Sequence, residues 1–142
     1  MSGLPPDDQP DEVYIGPVGP IPVHYDDDPR LVDERAAWSD AARIAQSLIT
    51  ADELIGGMSH GDWKVRHDVV DRLVARAGDD ERAIPTLIAA INSDPAWEVR
   101  DAAVMALRWP DDDRVMAVLE RALNDSHPEV RWSASYKLSQ FG

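Results

Sequence analysis

The sequence predicts an all-α fold: three stacked helical hairpins behind an N-terminal capping helix, preceded by a proline-rich tail. Three observations carry this reading. A Val-Arg pair opens a helix-like run after a turn three times, at Trp63-Lys64-Val65-Arg66, Trp97-Glu98-Val99-Arg100 and Pro128-Glu129-Val130-Arg131. Val65 and Val99 are 34 residues apart and Val99 and Val130 are 31 apart, a period that belongs to repeated helix pairs. The segments between them place apolar residues at helical spacing and break at Gly, Pro and Asp.

The tail comes first. Residues 1–30 hold seven of the eleven prolines and seven acidic residues against one basic, so no helix can persist there and residues 1–28 are expected to be a disordered acidic tail. Within it Val13 to Tyr25 is an apolar, extended or polyproline-like stretch between two acidic clusters. Two readings stand, a plain leader or a segment that docks on the repeats or on a partner. A helix opens at Asp28-Pro29, because Asp accepts from the first-turn amides and Pro suits the first helical position. It is expected to run to Ile49 as the capping helix, 29–49. Its stripe of Leu31, Trp38, Ala41, Ala45, Leu48 and Ile49 is shallow because half of it is small.

Repeat 1 spans 50–78. Thr50 with Glu53 forms a capping-box pattern for a short helix that ends near Gly56-Gly57, and a second helix runs from about Trp63 to Ala77, stopped by Gly78. Repeat 2, 79–110, places helices at about Arg82–Asn92 and Ala96–Trp109, the second ended by Pro110. Repeat 3, 111–142, places them at Asp113–Asn124 and Pro128–Phe141, with Ser126 as the cap of the last. The whole domain is therefore 29–142, a length that suits one core and leaves no room for a second domain.

Aligning the second helices on Val65, Val99 and Val130 gives two further core columns, Val69/Ala103/Ala134 and Leu73/Leu107/Leu138. The opposite side of the same helices does not repeat. Its columns read Trp63, Trp97, Pro128; then His67, Asp101, Trp132; then Asp71, Met105, Tyr136. Positions that need not repeat to keep the core intact are free to bind, and Trp, Tyr and Met are enriched where proteins meet partners. The candidate partner-binding residues are thus Trp63, His67, Asp71, Trp97, Asp101, Met105, Trp132 and Tyr136. For Trp63 and Trp97, covering the hairpin turns is an equal alternative.

The turn Asp94-Pro95-Ala96-Trp97-Glu98-Val99-Arg100-Asp101-Ala102-Ala103 and the later Ala106-Leu107 resemble the HEAT-like repeat in its short bacterial form. Repeat 3 keeps His127-Pro128-Glu129-Val130-Arg131, whereas repeat 1 has Gly61-Asp62 in place of the Pro turn and Gly56-Gly57 in place of aliphatic residues. The resemblance covers about residues 50–142. It implies a right-handed α-solenoid, second helices lining the concave surface, and a ladder in which Arg66, Arg100 and Arg131 bond the turn aspartates Asp62, Asp94 and Asp125 between repeats. It also implies a general protein-binding scaffold, with some members in phycobilin attachment, diiron hydroxylation and DNA repair.

Those branches are tested against residues. The four histidines are followed by Tyr25, Gly61, Asp68 and Pro128, so the His-Glu pairs of the hydroxylase relatives are missing and no metal or cofactor is expected. A formal charge of −13, with 14 basic against 27 acidic residues, argues against nucleic acid, which needs clustered Lys and Arg. Without cysteine, thiolate sites and disulfides are excluded, and no nucleophile elbow is visible. No apolar run approaches the roughly 20 residues of a membrane span, and Met1 to Gln9 lacks the regions of a signal peptide, so a cytoplasmic protein is expected. The acidic turns Asp79-Asp80-Glu81 and Asp111-Asp112-Asp113 read as solvated caps or as a row that steers a basic partner.

Together these readings point to a non-catalytic scaffold or adaptor that binds another protein through its concave helix face, the charge favouring a basic one, as a monomer or weak homodimer. The competing readings are an immunity protein that neutralises a basic toxin or enzyme, and an accessory phycobilin lyase or chromophore-protein chaperone. Because the last helix has no further polar helix after it, part of the terminal face is expected to be open.

Overall fold

A computed structural model of the chain describes residues 29–142, with side chains from residue 33 onward. The expected acidic tail, 1–28, and its Val13 to Tyr25 stretch lie outside the described residues. The chain divides into two units, residues 1–37 and 38–142; of the first, only the opening half of helix α1 (Pro29–Ser47) is described. The second unit holds the rest of α1 and six more helices, and no strand occurs among the described residues.

α1 ends two residues before the expected Ile49. The reason lies downstream, where the Glu53 carboxylate accepts from the amides of Ile49 and Thr50, both at 3.0 Å, and so pulls these residues into the next cap. Thr50 in turn accepts from the Glu53 amide at 3.1 Å, completing the capping box of α2 (Ala51–Gly57). These backbone donors hold the Glu53 carboxyl below its ordinary range. Gly57 lies where space is tight: a Cβ there would come within 2.7 Å of the Leu48 Cδ1 methyl and 3.1 Å of Val69, so Leu48 would have to shift, whereas a Cβ on Gly56 would meet nothing within 4 Å.

The second helix of each hairpin follows: α3 (Trp63–Ala77) pairs with α2, α5 (Trp97–Ala106) with α4 (Ala83–Ser93), and α7 (Pro128–Phe141) with α6 (Asp113–Ala122). α3 packs on α5 and α5 on α7, while α4 packs on α6. Asp62 and Asp112 cap α3 and α6 by accepting from Lys64 and Arg114 amides. α7 is capped by His127, whose Nδ1 accepts from the Glu129 amide at 3.1 Å, and not by Ser126. His127 has the extended backbone that a cap requires and its ring reaches the second amide of the helix, so Pro128 takes the first helical place.

α5 stops at Ala106, three residues short of the expected Trp109. A helix continued through Pro110 would drive its ring into the Ala106 carbonyl. The chain leaves at Leu107 instead, which is extended and fully buried.

The core follows the aligned columns. Val65, Val99 and Val130, then Val69, Ala103 and Ala134, then Leu73 and Leu107 are all fully buried, facing Leu54, Leu87, Val115, Val118 and Leu119 of the first helices. Leu138 departs from its column and is only half-buried, because no further helix packs over it.

Candidate partner-binding face and the ladder behind it

Register between the repeats is held by two copies of one polar device. The Arg66 Nε and Nη2 donate to the Asp94 carboxylate at 2.8 and 3.0 Å, and its Nη1 donates to the His60 carbonyl at 2.7 Å. Arg100 repeats this toward Asp125 at 2.9 and 3.0 Å, with Nη1 on the Asp94 carbonyl at 2.9 Å. Each carboxylate also accepts the amide two residues on, Ala96 or His127, at 2.9 Å. Forked pairs of this kind are strong when water is excluded, and the side chains here are only 6 to 13% exposed. Burial draws the Asp125 carboxyl up, but the Arg100 guanidinium and the His127 amide outweigh it and leave it lowered.

The structure corrects two members of the expected ladder. Asp62 is the cap of α3, and the rung position in repeat 1 is His60, whose Nδ1 accepts from the Asp62 amide at 3.0 Å just as Asp94 and Asp125 accept two residues on. Among the described residues no arginine is bonded to its imidazole; Arg66 meets only its carbonyl. Arg131 keeps only the carbonyl arm, Nη1 to Asp125 O at 2.7 Å, and is exposed.

The opposite face of α3, α5 and α7 carries the eight candidate residues, and they fall into two groups. Four are occupied. Trp63 meets Trp38 edge-on at 5.3 Å, with Lys64 Nζ 4.8 Å above its ring, and His67 meets Trp38 at 5.2 Å and contacts Asp68 at 3.2 Å. Trp97 stacks flat on His127 at 4.0 Å, and Asp101 accepts from the Ser133 hydroxyl. All four are half-buried. The other four face water: Asp71, Met105 at 40% exposure, Tyr136 at 41% and Trp132 at 63%. Trp132 and Tyr136 stack on each other, 5.4 Å apart and 8° from parallel, as neighbours one turn apart on α7 can.

Column reasoning missed the ties that hold α7 beneath that stack. Ser133 binds Asp101, and Lys137 Nζ donates to the Leu107 carbonyl at 2.9 Å; burial, then the nearby Arg108 charge, lowers the Lys137 pKa. Both lie on the side of α7 facing α5. On its other side the face expected to be open carries polar residues: where repeats 1 and 2 bury Val70 and Val104, repeat 3 has exposed Ser135, and Ser139 follows. That column is readable in the sequence once the register is fixed.

Each acidic turn neutralises one of its three carboxylates internally. Asp80 and Asp112 each bind the guanidinium two residues on, Arg82 or Arg114, through both carboxylate oxygens, and these partners hold both carboxyls at about 2. Among the described residues, no group of three His, Asp or Glu is placed to hold a metal ion, and no helix is long and apolar enough to cross a membrane.

Comparison with curated proteins and with solved structures gives no significant match. The HEAT repeats family matches residues 25–108 and again 51–139, registers that both contain the Arg66–Asp94 rung. With well over half of its 142 residues matched in this way, the chain belongs to the HEAT repeats family.

Proposed function

We propose that this HEAT repeat protein is a non-catalytic adaptor that binds a partner protein through the outward face of α5 and α7. HEAT repeats generally mediate protein–protein interaction and form a typically non-catalytic scaffold, and fold alone does not choose a site. The observation that carries the choice is the exposed Trp132–Tyr136 stack on α7, with exposed Met105 at the equivalent of Tyr136 on α5. A Trp side chain offers 150 to 250 Å² of burial, roughly, yet this one is left mostly in water. Stacked rings are already ordered, so docking on them costs little further conformational entropy, which is the property of an interface anchor.

Asp71 extends the face toward repeat 1, while Trp63, His67, Trp97 and Asp101 support it from the half-buried layer. The test is affinity capture from a lysate of the source cells, followed by direct binding of the captured protein to purified variants. Trp132→Ala with Tyr136→Ala is expected to abolish binding while helical circular dichroism stays unchanged. Binding unaffected by the double substitution would refute the site, and loss of helicity would reassign the pair to the core.

A further inference from the structure

We infer that Arg76 and Arg108 form a binding site for one oxyanion group, a carboxylate or a phosphate, next to the partner-binding face. Assigning that anion to a partner protein rests on the function proposed above; the anion site itself does not.

Arg76 lies in the last turn of α3, and Arg108 follows the end of α5. The two line one small pocket, about 170 Å³ in volume, whose other lining residues include Asp79 and Trp109. Their state is unusual for this chain. Arg43, Arg66, Arg82, Arg100 and Arg114 are paired with aspartates. Arg72, Arg121 and Arg131 donate to Gln46 O, Asn92 and Asp125 O, and Arg35 is also engaged. Arg76 and Arg108 are the arginines of described side chain with no hydrogen bond or ion pair, and they share a pocket.

A chain with 27 acidic residues has ample means to neutralise them. Asp79 is at the pocket, yet it forms no ion pair within 4 Å with either guanidinium. Lys137 adds to the field from α7, where burial and then the Arg108 charge lower its pKa. A basic residue near the C-terminus of α3 or of α5 is favoured by that helix's dipole; the dipoles do not account for both guanidinium groups lining one pocket unpaired.

The size and chemistry agree. A pocket of about 170 Å³ has room for one oxyanion group. Guanidinium forks suit planar carboxylates and tetrahedral phosphates alike, and this chain already uses the same fork internally on Asp94 and Asp125. Arg108 stands three residues past Met105, so an acidic or phosphorylated side chain seated here would flank an apolar contact on Met105, Tyr136 and Trp132.

The test is a titration of the full ¹⁵N-labelled chain with sodium acetate and, separately, inorganic phosphate, each against chloride at equal ionic strength, reading the arginine Nε–Hε signals. Saturable shifts confined to Arg76 and Arg108 are expected in at least one arm, and the stronger arm tells carboxylate from phosphate. Arg76→Gln and Arg108→Gln should each weaken that affinity by about tenfold or more, the loss of a charge-assisted fork. Trp132→Ala with Tyr136→Ala should leave it unchanged, so a failed partner assay and a failed anion site are separable. Linear shifts in both arms, equal shifts at Arg43 and Arg121, or undiminished affinity in both Gln variants would overturn the assignment. Both arginines are at the surface, and unchanged helical circular dichroism confirms that the variants are folded.

Discussion

Replacing Asp94 by Asn should destabilise the domain by about 3 to 5 kcal/mol, the usual cost of stranding one charge of a buried pair. The size follows from burial: the Arg66 and Asp94 side chains are 11% and 6% exposed, so water cannot replace the lost carboxylate. Asn keeps an oxygen that accepts the Ala96 amide, which separates loss of charge from loss of the turn. Against a typical domain stability of about 5 to 15 kcal/mol, this is a large fraction. Asp125→Asn should act similarly through Arg100, whose pair is 13% and 10% exposed. Arg131→Ala, lacking a carboxylate partner, should stay within about 0.5 kcal/mol. The assay is urea unfolding followed by helical circular dichroism. Because each repeat touches only its neighbours, a weakened rung should also broaden the transition or split it. Arg66→Met with Asp94→Asn should recover most of the loss, since it leaves no stranded charge while Asn still accepts the Ala96 amide. A cost for Asp94→Asn below about 1 kcal/mol, or a cost for Arg131→Ala equal to that of Arg66→Ala, would refute the ladder as the register device.

Two further outcomes can be checked on the same samples. Leu107→Ala, which removes a fully buried side chain at the exit of α5, should cost about 2 to 5 kcal/mol in urea unfolding. Acid should destabilise the fold through the turn clamps: bonding to Arg82 and Arg114 lowers the Asp80 and Asp112 carboxyls from 3.8 to about 2. The unfolded state therefore binds these protons first as pH falls. Their contribution is present above the unfolded value of 3.8 and is lost as pH falls through about 2. The urea midpoint should drop across that window, and Asp80→Asn with Asp112→Asn should flatten the drop.

The fold was legible because its code is periodic. Aligning three valines fixed the helix pairs and nearly every buried column, since a repeat must place the same size of side chain wherever it meets its neighbour. Errors fall where a single local contact decides. Glu53 shortened α1, Pro110 forced the early exit of α5, and an imidazole acted as a cap in place of Ser126. The Asp62 error has the same origin: a turn one residue pair out of register places His60, not Asp62, opposite the missing rung. The site was half legible. Register separates outward from inward positions, but it cannot say that Trp97 will find His127 while Trp132 finds only Tyr136, because those contacts join residues of different helices or depend on what packs beside them.

Net charge proves a weaker guide to the partner than composition suggests. Part of the acidity is engaged internally: Asp94 and Asp125 make the rungs, Asp62 and Asp112 cap helices, Asp80 and Asp112 clamp their own arginines, and Glu53 closes a capping box. A carboxylate already holding a guanidinium offers an approaching cation little further attraction, and at exposed sites salt screens the remainder beyond about 8 to 10 Å. Beside the remaining carboxylates the fold leaves exposed two aromatic rings stacked in water, a methionine at the equivalent place on α5, and two unpaired arginines at one pocket. In the interface proposed above, a surface of that composition would select an apolar side chain flanked by an anion. The excess negative charge acts on the approach of a partner, and the uncommitted residues act on its recognition.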